Sequence, residues 1–136
     1  MKISLWKQYG ALNSGPVFDA FAISLVDNGH TVVYNDNTAD VDVIWSVLFH
    51  GRMARNKAIW ENKKPTIVLE VGGINRGVTW KVGLNGINRD AYFGDNDNDS
   101  TRADSLGLVC KPWRSNGDYV LICGQHDKSL QWQSMP

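Results

Sequence analysis

The residues best suited to chemistry fall in three short stretches. His50, Gly51 and Arg52 follow the apolar run VDVIWSVLF, and Glu70 stands near the end of TIVLEV, just before GGINRG. A histidine titrates near neutral pH, so His50 is a candidate general base, with helix capping or packing as its plainer use. Glu70 offers a second base or an acceptor for a sugar hydroxyl; binding a backbone amide is its plainer use. Gly51, Gly72 and Gly73 let backbone amides approach a ligand closely. Arg52 and Arg76 add forked donor sets that suit phosphate, and Asn75 lies between Gly73 and Arg76 in the same stretch. Upstream, GALNSG places Asn13 and Ser14 where a helix begins, and a helix N-terminus favours anions. A phosphorylated ligand such as a nucleotide sugar fits this set, while ordinary turns of an α/β fold explain the same residues without one.

Several better-known patterns are absent. Neither GALNSG nor GGINRG is the G-x-G-x-x-G dinucleotide fingerprint, and no G-x-x-x-x-G-K-[ST] phosphate loop occurs. DNDNDS alternates acids at Asp95, Asp97 and Asp99, yet an EF-hand needs Gly sixth and Glu twelfth, where this chain has Ser100 and Leu106. Calcium is excluded on that spacing. The same stretch can hold Mg²⁺ or Mn²⁺ through Asp-x-Asp, though a solvated loop is the plainer reading and no metal or cofactor is expected.

Elements must carry these residues. KISLW reads as a buried first strand, and Ser14 and Pro16 open a helix whose Phe18, Phe21, Ala22 and Leu25 share one face before Gly29 stops it. His30–Asp36 reads as a strand, Val41–Phe49 as a strand covered on both faces, Arg52–Lys64 as a helix, and Thr66–Val71 as a strand. Beyond Gly72 the pattern fades, with a short strand expected in TWKVGLNG, a short helix in TRADSLGL, and a last strand at Tyr119–Gly124. Alternating strands and helices predict an α/β fold with a mainly parallel sheet, whose ligands bind beyond the carboxyl ends of the strands. GINR occurs at Gly73–Arg76 and again at Gly86–Arg89, too close for a repeat unit, so chance or a shared turn conformation is expected. Trp6, Trp45 and Trp60 fall in core-like runs, whereas Trp80 and Trp113 lie in polar surroundings and are free to stack on a sugar or base.

Composition sets outer bounds. The chain has 136 residues, 43% of them hydrophobic, and 14 basic residues against 14 acidic ones. That balance gives no overall field for nucleic acid. No apolar run reaches the length of a bilayer span, and MKISLWKQYG lacks a signal-peptide core, so a cytoplasmic protein is expected. Cys110 and Cys123 form no metal or redox pattern and are expected as reduced thiols.

The stretches ICGQHDKSLQW, IWSVLFHGRMARNKAIWE, VLEVGGINRGVTWKVGLNGINR and PWR together resemble the first domain of GT-B glycosyltransferases, of the capsule-polysaccharide and phage-encoded type. The resemblance covers most of the chain through short motifs. It implies a Rossmann-like three-layer domain over residues 1–118. Residues 119–136 would then be the crossover strand and start of a truncated second domain, or else the last βα unit of the same domain. On this resemblance Gln125, Asp127 and Ser129 begin the donor-side loop, and His50, Gly51, Arg52, Gly72, Gly73, Asn75 and Arg76 line the facing wall. The implied activity is the acceptor-side half of a metal-independent transfer from a nucleotide-sugar donor to a sugar or other hydroxyl acceptor. Little turnover is expected from this chain alone, and a phage-encoded protein would work in the host cytoplasm. Two other readings stand beside it: a non-catalytic nucleotide- or sugar-binding module, possible as a homodimer, and a phage protein-interaction domain.

Overall fold

Leu5, Val43 and Ile67 stand side by side on three neighbouring strands, and the core is built outward from that row. The computed structural model describes residues 1–92, 94 and 99–124. Its chain divides into two compact units, Met1–Phe93 and Gly94–Pro136.

The first unit is an α/β domain with one five-stranded sheet. Strands β1 (Lys2–Leu5), β2 (Thr31–Tyr34), β3 (Val41–Trp45), β4 (Thr66–Val71) and β5 (Trp80–Leu84) lie in the order β2-β1-β3-β4-β5. The β1–β2, β1–β3 and β3–β4 pairs are parallel; β4–β5 is antiparallel. Every residue of β3 is buried, Asp42 included, as its otherwise apolar run predicts for a strand covered on both faces.

Alternation along the strands sorts the core into two clusters. Ile3, Leu5, Val43, Trp45 and Leu69 meet helix α1 (Gly15–Asp27) through the fully buried Phe18, whose burial contributes about 2 kcal/mol. Trp6, Ile44, Val68 and Ile87 gather instead around Ile59 of the short helix α2 (Asn56–Glu61). Helix α1 ends in a Schellman motif: His30 N donates to Leu25 O at 3.0 Å and Gly29 N to Val26 O at 2.9 Å, with Gly29 at φ +78°. Ser14 does not cap the start of the helix; its hydroxyl donates to Ala11 O at 2.8 Å.

Only residues 35–40 join β2 to β3, which flank β1 on either side. Such a short crossing suffices because β1 has four residues, about 13 Å of strand to retrace. Asp36 N donates to the hydroxyl of Ser4 at 2.9 Å, so the connection runs over the face that Ser4 presents. Beneath it lies a polar row, Ser4, Asp42 and Thr66, in register across β1, β3 and β4 and buried throughout. Asp42 accepts from Trp6 Nε1 at 2.8 Å and lies 4.0 Å from the Lys64 ammonium, which also donates to the carbonyls of Asn37 and Ala39.

Burial pushes the Asp42 carboxyl above its ordinary value, against the indole hydrogen bond and the Lys64 charge. The stability linked to this group is therefore fully present below the ordinary carboxylate pKa and is lost as pH rises through the raised one. Asp42→Asn keeps an acceptor for Trp6 without the charge. Its stability relative to wild type should improve steadily as pH rises from 4 to 7 in urea titrations. A difference independent of pH contradicts this account of Asp42.

Three expected elements change. The β3 strand stops at Trp45 rather than Phe49, because Ser46 turns to φ +61° and donates its backbone N–H to Leu69 O at 2.8 Å. The single helix expected over Arg52–Lys64 is a 3-10 turn at Gly51–Arg55 followed by α2. Tyr119–Gly124 forms no strand: these residues are exposed, and no neighbour among the described residues takes up their backbone groups. The second unit holds the expected short helix, α3 (Thr101–Ser105), where Asp99 Oδ1 accepts from Thr101 N at 3.0 Å. Among the described residues no helix is long and apolar enough to cross a membrane.

Candidate functional site

Strand order locates the place to look. From β1 the chain moves to β2 on one side and then to β3 and β4 on the other, so the direction of travel reverses between β1 and β3. In open α/β sheets the crevice outside the carboxyl ends of such a pair is where ligands bind. Two segments meet there, Trp6–Ser14 after β1 and Ser46–Arg55 after β3.

Asn56 binds these two segments together. Fully buried at the start of α2, its Nδ2 donates to Trp45 O at 2.9 Å and to Tyr9 O at 3.4 Å. Two carbonyl acceptors fix which end of the amide is nitrogen. Its Oδ1 is buried with no hydrogen-bond partner among the described residues. Beside it the Trp6 and Tyr9 rings stack with centroids 6.0 Å apart and planes 13° from parallel. The Arg55 guanidinium lies 5.6 Å over the Tyr9 ring and donates to its hydroxyl at 3.4 Å. Ser46 is buried, and its hydroxyl accepts from Leu48 N at 3.2 Å, closing its own turn. The sequence carried one signal for Asn56: it precedes Ile59 and Trp60 by three and four residues, so a polar side chain occupies the apolar stripe of its helix.

The candidate residues sort around this frame. His50, Gly51 and Arg52 are exposed just beyond β3, and His50 O accepts from Met53 N at 3.1 Å. Asn13 is exposed ahead of α1, whereas Ser14 is buried and its hydroxyl is spent on Ala11. Glu70, partly buried near the end of β4, accepts from Val71 N at 2.8 Å and faces Lys81 in register. Gly72, Gly73, Asn75 and Arg76 form the hairpin between β4 and β5. Gly72 N donates to Thr79 O at 2.9 Å, and Asn75 O accepts from Val78 N at 2.9 Å. The chain thus brings the loops holding Asn13, His50, Arg52 and Arg76 to one end of the sheet, after β1, β3 and β4. Among the described residues neither Arg52 nor Arg76 has an ion pair. Gln125, Asp127 and Ser129 lie outside the described residues, as do Asp95 and Asp97.

Among the described residues no hydrogen bond joins His50 to Glu70: the Glu70 carboxylate accepts from Val71 N, and the His50 ring makes no hydrogen bond. Among the described residues no group of three His, Cys, Asp or Glu side chains is placed to hold a metal. Trp80 does not stand free: it packs edge-on to Trp45 at 5.8 Å and joins the core. Trp113 is exposed. The GINR echo has a shared conformation behind it, because Asn75 and Asn88 both adopt left-handed backbone, at φ +46° and +57°. Comparison with protein-family models, curated proteins and solved structures finds no match.

Proposed function

We propose that the first unit binds a phosphorylated small molecule of the nucleotide-sugar class at the carboxyl ends of β1, β3 and β4, without performing chemistry of its own. The observation that carries this is the delivery of two guanidinium groups without an ion pair among the described residues, Arg52 and Arg76, by the loops that follow neighbouring parallel strands. Guanidinium groups at strand ends suit a diphosphate, and the resemblance noted in the sequence supplies the nucleotide-sugar class. The Rossmann-like three-layer arrangement is the frame for this reading, with α1 against one face of the sheet and α2 against the other. Binding is favoured over catalysis because, among the described residues, neither the His50 ring nor the Glu70 carboxylate is hydrogen-bonded to another acid or base.

A second reading, the acceptor-side half of a GT-B glycosyltransferase, draws on His50 standing two residues before Arg52 at the end of a central strand. It differs in one respect: it requires product.

The test is a thermal-shift series with UDP- and CMP-type nucleotide sugars. At tenfold the Kd, ligand should stabilise the fold by about 1.4 kcal/mol and raise Tm by about 5 °C. Arg52→Ala and Arg76→Ala should each lose most of that rise. A rise that survives in both variants overturns the site, and sugar transfer by the purified protein favours the second reading.

A further inference from the structure

A different feature lies at the opposite end of the sheet. Trp60, Lys63, Lys64, Pro65, Thr66 and Asn85 line an open pocket of about 340 Å³ where β4 begins and β5 ends. The volume is at the small end of the range for ligand sites, enough for one ring and one charged group.

Lys63 is the informative residue. It is the second residue after α2, past the capping Asn62, and its backbone is left-handed at φ +58°. Glycine is the usual occupant of that position because a Cβ is unfavourable there. Its ammonium has no hydrogen bond or ion pair among the described residues. A strained lysine with an unspent charge beside a pocket is a local rule broken without any return inside the fold. The neighbouring lysine is different. Lys64 is anchored by the carbonyls of Asn37 and Ala39, close to Asp42, and fixes a cation in the wall.

The remaining wall offers donors and flat apolar surface. Asn85, also left-handed at φ +55°, accepts from Thr66 N through Oδ1 at 2.9 Å. Among the described residues its Nδ2 makes no hydrogen bond. Trp60 is partly buried with its ring 6.3 Å from Phe49, and Pro65 adds a second apolar surface. We propose that this pocket binds a planar ring carrying a phosphate or carboxylate, with the ring against Trp60 and the anion on Lys63 and Asn85. This inference is independent of the site at the strand ends.

Lys63→Gly separates ligand from fold, because it should strengthen the fold while removing the cation. In ¹⁵N-labelled Arg52→Ala protein, which silences the other site, AMP and benzoate serve as probes, with inorganic phosphate and adenosine as the halves of AMP. The Trp60 indole N–H and the Lys63 and Asn85 amides should shift with AMP, with benzoate, or with both, according to which anion the pocket prefers. Either half alone should bind at least tenfold more weakly than AMP. Adding Lys63→Gly should raise Tm by about 4 °C and weaken probe binding at least tenfold. The proposal is overturned if neither probe moves the Trp60 signal, if Lys63→Gly leaves affinity unchanged, or if Lys63→Gly lowers Tm.

Discussion

Asn56→Asp should destabilise the protein by about 3 kcal/mol or more at neutral pH, although the two side chains are nearly the same size. The Asn56 Nδ2 serves two backbone carbonyls, Trp45 O and Tyr9 O, at the point where the loops after β1 and β3 meet. A carboxylate donates to neither, and in this fully buried position it would set its charge against both oxygens. Protonation restores one donor, so the loss should shrink as pH falls from 7 toward the ordinary carboxylate range and level off below it. Urea unfolding of both proteins between pH 4 and 7 reads this directly. A loss below about 0.5 kcal/mol would mean that Asn56 does not hold the two loops together.

Gly72→Ala comes next, with an expected loss of about 2 kcal/mol. A Cβ on Gly72 would come within 2.5 Å of Thr79 O and 2.8 Å of its carbonyl carbon, both backbone atoms of the facing strand end. Neither is free to move without opening the hairpin that Gly72 N and Thr79 O close. The adjacent Gly73 has open space around it, so Gly73→Ala should stay within about 0.5 kcal/mol of wild type. Equal effects from the two substitutions would show that the close approach at Gly72 is not what sets the hairpin. Gly72 thus answers first to strand pairing. The expectation of a glycine that lets backbone amides approach a ligand applies better to Gly73.

Local pattern was enough for the elements whose side chains report their surroundings. The Phe18–Leu25 stripe and Gly29 marked α1, and the apolar runs marked β1, β2 and β4 to within two residues. What pattern missed depends on partners remote in sequence. SVLF reads as more β3, but the turn at Ser46 is fixed by Leu69 O, 23 residues away. YVLIC has strand-forming residues and no neighbouring strand among the described residues, and composition cannot supply one. Trp80 lies in a polar stretch, yet the antiparallel pairing of β5 turns it onto Trp45.

The candidate site shows the same division. The strand-end positions of His50, Arg52 and Arg76 followed from counting strands. Asn56 showed only as a polar residue in an apolar stripe, because its partners are main-chain carbonyls that carry no sequence signature. Asp42 is similar: VDVIW places a carboxylate in a buried strand, but the Trp6 indole and the crossing segment that cover it belong to other parts of the chain.

The central claim is that ligand binds where the loops after β1, β3 and β4 emerge. Its most direct measurement is an NMR titration of ¹⁵N-labelled protein with UDP. The account predicts saturable amide shifts within residues 7–14, 46–55 and 72–79, abolished by Arg52→Ala. A titration that leaves all three segments unmoved at saturating nucleotide would contradict it.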